Sequence, residues 1–165
     1  MPNWCGGSVC VSGKDKDILE FCKYFIFQDE KEKPKYFARS FIHSNWKDFI
    51  EDEIEDGCFI VDFAWSVTSC LISGYPQDNP DKCITLMDAC KKHNVKVDIT
   101  SEESGVGFEE HIICNSNGKL TKNECSDMPT YKCKCGSEQF VSSYKDVKDI
   151  VCYECDKSNL GEIVK

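Results

Sequence analysis

Four cysteines near the C-terminal end constrain this chain more than any other feature. They read Cys133-Lys-Cys135-Gly and then, sixteen residues further on, Cys152-Tyr-Glu-Cys155. Two close thiol pairs at that separation can bring four sulfurs to one tetrahedral ion. A short segment with little core of its own gains folding energy from such a site. The spacing predicts a zinc ribbon over 132–165, with Zn2+ held by Cys133, Cys135, Cys152 and Cys155. Soft thiolates favour zinc, and four protein ligands leave no open position for a reactive water, so the ion is expected to be structural. Cys125 stands eight residues before Cys133 and could substitute for one of the four ligands.

The chain holds 165 residues, enough for one ordinary domain and a small appendage. Its 13 cysteines would suggest a disulfide scaffold in an exported protein. Most stand alone, and no basic stretch followed by a long apolar region opens the chain. No apolar run approaches the about 18 residues of a membrane span. The expectation is a soluble cytoplasmic protein with no membrane partner and with reduced thiols outside the metal set.

Charge narrows the partner class. The formal net charge is -9, only one unit of it falls in residues 125–165, and Arg39 is the sole arginine. Phosphate backbones are bound chiefly by lysine and arginine, so generic DNA binding is not expected. An acidic face instead suits a basic partner, including one that normally grips nucleic acid. The densest acidic run is Asp48, Glu51, Asp52, Glu53, Glu55 and Asp56. On a helix from Asn45 to Asp56 these acids lie opposite Trp46, Phe49, Ile50 and Ile54, as a solvated face or a docking surface.

Periodicity gives the frame. Ser8–Gly13, Cys58–Trp65, Val95–Thr100 and Phe108–Cys114 read as strands, with a weaker one over Tyr36–His43. Asp15–Gln28 reads as an amphipathic helix. A second helix is expected from Pro80 to about His93, capped by Asn79. Asn117-Gly118 marks a hairpin turn. The order suits an α+β fold: a ferredoxin-like antiparallel sheet with two helices on one face over 1–122, a linker over 123–131, then the ribbon. Two strands, one near Phe140 and one over Val147–Val151, are expected between the metal knuckles.

The opening Pro2-Asn3-Trp4-Cys5, followed by a strand closing in Val11-Ser12-Gly13, resembles the YubB ferredoxin-like family of phages and plasmids. Phe63-Ala64-Trp65-Ser66 looks like that family's aromatic strand end, and Glu102 through Gly107-Phe108 like its glycine-bounded segment. The resemblance covers about residues 1–118 and implies a ferredoxin-like fold and a mobile-element origin. It supplies no activity. The chain departs from the pattern at Gly6-Gly7, Val67-Thr68 and Glu110.

No dinucleotide fingerprint, phosphate loop or zinc-protease motif is present. Trp4, Cys5 and Trp65 are expected in or capping the core. His43, His93 and His111 are well separated, and Glu109 and Glu110 beside His111 alternate across a strand. No catalytic residue is assigned. The expected function is a non-enzymatic phage or mobile-element protein that inhibits a host defence system, such as an anti-CRISPR. It would dock an acidic surface on a basic host protein, for example a nucleic-acid-binding effector. The alternatives are a nucleotide- or RNA-binding module and a cysteine-dependent enzyme.

Overall fold

The structure, a computed structural model, describes residues 4–25, 35–42, 57–73, 82–143, 145–158 and 161–164. The acidic run at 48–56, His43, Asn79 and Pro80 lie outside the described residues. β1 (Trp4–Ser12) leads to α1 (Asp15–Cys22) and a 3-10 turn at Lys23–Phe25. β2 (Ser40–Ile42) and β3 (Cys58–Ala64) come next, then a π-helical turn at Thr68–Ile72 and α2 (Leu86–His93). β4 (Lys96–Glu103), β5 (Phe108–Cys114) and β6 (Leu120–Asp127) complete the first sheet. β7 (Thr130–Cys133), β8 (Glu138–Phe140), a 3-10 turn at Val147–Asp149 and β9 (Gly161–Val164) build the second.

The larger sheet is antiparallel, in the order β2-β3-β1-β4-β5-β6. α2 joins β3 to β4, which run parallel with β1 between them. Likewise β1 and β2 run parallel, with α1 in their connection and β3 between them. The three-stranded sheet has the order β8-β7-β9.

Strand alternation sorts the two faces of the large sheet. Cys5, Gly7, Val9 and Val11 of β1 point into the core with Phe59, Val61 and Phe63 of β3 and Val97 and Ile99 of β4. α1 adds Ile18, Phe21 and Cys22, and α2 adds Leu86, Ala89 and Cys90. Phe21, Phe25 and Phe37 meet edge-on or tilted, with centroids 4.7–6.1 Å apart. Each fully buried ring or branched chain of this kind contributes about 1.5–3 kcal/mol. Gly7 is required by packing, since a Cβ there would lie 2.6 Å from the Phe63 ring.

Several expectations need correction. α2 begins at Leu86, because Thr85 supplies the cap: its Oγ1 accepts from the Asp88 amide at 3.2 Å. The stretch read as a linker is strand as far as Asp127, since β6 extends the sheet. Val147–Asp149 forms a 3-10 turn rather than a strand. Trp4 and Trp65 do not cap the core. Trp4 follows the alternation onto the open face and is 46% exposed. Trp65 follows β3 in the left-handed region, φ 80°, half-exposed. Cys5 is buried, as expected.

The thiols outside the metal set are not all reduced. Cys10 and Cys58 are direct cross-strand partners on β1 and β3 and form a disulfide, with Cα atoms 4.1 Å apart. Their separation of 48 residues hid the pairing from a reading of neighbours. Replacing both by serine is expected to lower the unfolding free energy by about 2–3 kcal/mol, because a long loop is released in the unfolded chain. Urea denaturation of the two oxidised proteins measures it. Identical midpoints would mean that the bridge does not form in solution.

Candidate metal centre and the adjoining cleft

The four expected ligands come together. Their Sγ atoms all lie within 4.8 Å of one another. Cys133 and Cys155 are 3.8 Å apart, and Cys135 and Cys152 are 3.6 Å apart. A tetrahedron of sulfurs at about 2.3 Å from an ion has edges of about 3.8 Å, so the set fits a four-coordinate metal. Cys125 does not join it and stands exposed on β6.

Local chain chemistry builds each knuckle. β7 ends at Cys133, whose carbonyl accepts from the Gly136 amide at 2.9 Å. Gly136 sits at φ 97°, which lets the chain turn within one residue of Cys135. In the second knuckle the Asp156 amide donates to the Cys152 carbonyl at 2.9 Å, and Asp156 takes φ 53°. Ser137 Oγ lies 3.1 Å from Cys152 Sγ. That hydroxyl, with the Cys155 and Glu154 backbone, holds the Cys152 thiol down to about 6, and the thiolate is the ligating form. The rest of the ribbon core is Tyr131, Val141 and Ile150, few apolar groups for a folding unit.

Three of the buried thiols outside the metal set are poor nucleophiles. Burial pushes Cys5 and Cys22 up to about 12 and Cys70 up to about 11. His93 Nε2 is 2.8 Å from the Tyr24 hydroxyl, and His111 Nε2 is 2.9 Å from Asp98 Oδ1.

Two adjacent carboxylates that the sequence reading gave no role organise the molecule. Glu109 and Glu110 are both buried, on opposite faces of β5. Glu110 enters the core. It accepts from the Val67 amide at 2.7 Å, the Thr68 amide at 3.2 Å, the Thr68 hydroxyl at 2.7 Å and the Ser101 hydroxyl at 3.3 Å. Glu109 faces the ribbon. It accepts from the Ser143 amide at 3.1 Å, from the Ser143 hydroxyl, and from the Ser142 and Ser126 hydroxyls at 3.5 Å. Glu109 thus ties the loop after β8 to the open face of the large sheet. The available signal was a pair of acids inside an otherwise apolar strand.

Where that loop meets the sheet there is a cleft of about 430 Å³. Its lining includes Trp4, Gly6, Ile60, Glu102, Glu109 and Ser142. Ile60 is 58% exposed beside it. Among the described residues no lysine or arginine lines this cleft. Among the described residues, no helix is long and apolar enough to cross a membrane.

No family model, curated protein or solved structure matches the chain.

Proposed function

We propose that this chain is a non-enzymatic interaction module that docks an acidic surface on a basic protein partner. The observation that carries the proposal is the charge distribution. A net charge of -9 and a single arginine accompany a sheet cleft whose charged lining is carboxylate. Complementary charge steers and registers such a partner. The burial of Cys5, Cys22 and Cys70 favours this reading over catalysis by those three thiols. We read the strand order β2-β3-β1-β4, with a helix in each split connection, as the ferredoxin-like plan extended by β5 and β6. We read the four-cysteine cluster as a closed structural zinc site in a ribbon.

The resemblance of residues 1–118 to the YubB family gives the proposal its finer form: an inhibitor of a host defence system, such as an anti-CRISPR, that occupies a basic nucleic-acid channel. A base-binding role has one feature in its favour. Trp4 is exposed on an open sheet face, 5.7 Å from Phe41, where bases stack in related architectures. Glu102 beside that face opposes the phosphate such a ligand carries.

The test is a pull-down from host lysate with tagged protein and with a variant neutralised at Glu51, Asp52, Glu53, Glu55 and Asp56. A stoichiometric basic protein, lost in the variant, is the expected result. Recovery of a nucleotide or RNA in its place would overturn the proposal.

A further inference from the structure

Gly6 has no structural reason to be glycine. Gly7 beside it is fixed by the Phe63 ring, but a Cβ at Gly6 would meet nothing within 4 Å. Its φ is not positive, so no turn demands it. It is the third residue of a nine-residue strand and is paired on both sides, where a missing side chain weakens pairing. A glycine of that kind marks a place where something else approaches the backbone.

The register shows what surrounds the gap. Gly6 pairs directly with Glu102 on β4 and with Asp62 on β3, and Trp4 stands two residues along β1 on the same open face. Trp4 and Glu102 are therefore diagonal neighbours across an empty position. Ser142, from the loop held down by Glu109, closes the ribbon side. The floor is peptide backbone, one wall an indole, another a carboxylate. The volume of about 430 Å³ falls within the range of ligand clefts, about 300–1,000 Å³.

We infer that this cleft receives an arginine side chain of the basic partner. The inference rests on the function proposed above and names the site and the chemistry within it. A guanidinium is flat enough to lie over the Gly6 backbone. It stacks on tryptophan by cation–π attraction and presents a two-pronged donor edge to a carboxylate. An ammonium matches the charge but not the plane, so lysine is the weaker occupant. A nucleotide would bring phosphate to Glu102 and is disfavoured.

Gly6→Val gives the clean test, because it fills the floor, changes no charge and puts a good strand former at an open position. Full-length protein is titrated with a capped hepta-arginine peptide and with hepta-lysine, followed by calorimetry and tryptophan emission. The expected result is a single site for the arginine peptide, about tenfold weaker in Gly6→Val, Glu102→Gln and Trp4→Ala. Glu162→Gln, which removes one charge on β9, should stay within about twofold of wild type. Hepta-lysine should bind several-fold more weakly. Equal binding by wild type and Gly6→Val overturns the inference and leaves only diffuse charge attraction. Competition by AMP also overturns it, since the cleft would then be a base site. The two proposals fail separately. A basic partner retained by Gly6→Val and lost on neutralising 51–56 keeps the function and removes the cleft. Peptide binding with no basic partner in the lysate does the reverse.

Discussion

Chelating the metal should unfold the ribbon and leave the six-stranded sheet standing. Within the ribbon the buried apolar groups are Tyr131, Val141 and Ile150, beside Cys133 and Cys152. That core cannot offset the conformational entropy of some thirty residues at about 1–2 kcal/mol each. Structural zinc in small domains contributes about 10–16 kcal/mol of apparent binding free energy at neutral pH. The larger sheet has its own core and does not depend on that term. The purified protein should carry one zinc per chain. Stripping it should collapse the dispersed amide signals of Tyr131, Val141 and Ile150 while those of Val9, Ile99 and Ile112 persist. Cys152→Ser should do the same without chelator. A ribbon that keeps its dispersion after the metal is gone would overturn the zinc proposal.

The consequences should reach the sheet. Glu109 takes its nearest hydrogen bonds from Ser143, so an unfolded ribbon leaves a carboxylate on the open face without those donors. It also removes Ser142 from the wall of the cleft. Metal loss is therefore expected to weaken arginine-peptide binding although no ligand cysteine lines that cleft.

The sequence made some of this legible, and the reasons for the rest are physical. The cysteine spacing announced the knuckles because metal ligation is local: two residues of a pair must lie within one turn of chain. The strands of the large sheet showed through as apolar alternation, which registers burial on one face directly. The Cys10–Cys58 bridge did not, because pairing between β1 and β3 depends on register across 48 residues. Trp4 was misread for a related cause: residue type suggested burial, while position in the alternation set its side of the sheet. β6 was mistaken for a linker because its residues are mostly exposed, so it carries little apolar signal although it pairs with β5 along its length apart from a register shift at Ile113/Cys114. Gly6-Gly7 looked like one feature in the sequence. The structure separates them, Gly7 answering to the Phe63 ring and Gly6 to nothing within the fold.

Glu110→Ala should be the most damaging single substitution in the large domain outside the metal site. A buried acid inside a strand looks at first like a liability. Its surroundings reverse that. Two backbone amides and two hydroxyls converge on its oxygens, at 2.7–3.3 Å. The amides of Val67 and Thr68 are those of the cap and first residue of the π-helical turn, one residue beyond Trp65-Ser66, where Trp65 takes its positive φ. Glu110 thus fastens the exit of β3 to β5 across the sheet, and it supplies the acceptors that this irregular turn lacks within itself. Truncation leaves buried donors without partners. Each costs about 1–3 kcal/mol, and the Thr68 hydroxyl can turn elsewhere, so the expected loss is about 4–5 kcal/mol. Glu110→Gln keeps one accepting oxygen and points an amide donor at donors, for an expected loss of about 2–3 kcal/mol. Urea unfolding of the three proteins, read at 222 nm and by tryptophan emission, gives the values. Trp65 emission should shift at lower urea than the global transition in Glu110→Gln, because the turn it adjoins loosens first. A Glu110→Ala protein with wild-type stability would mean that water satisfies those donors and that the carboxylate is not what holds the turn.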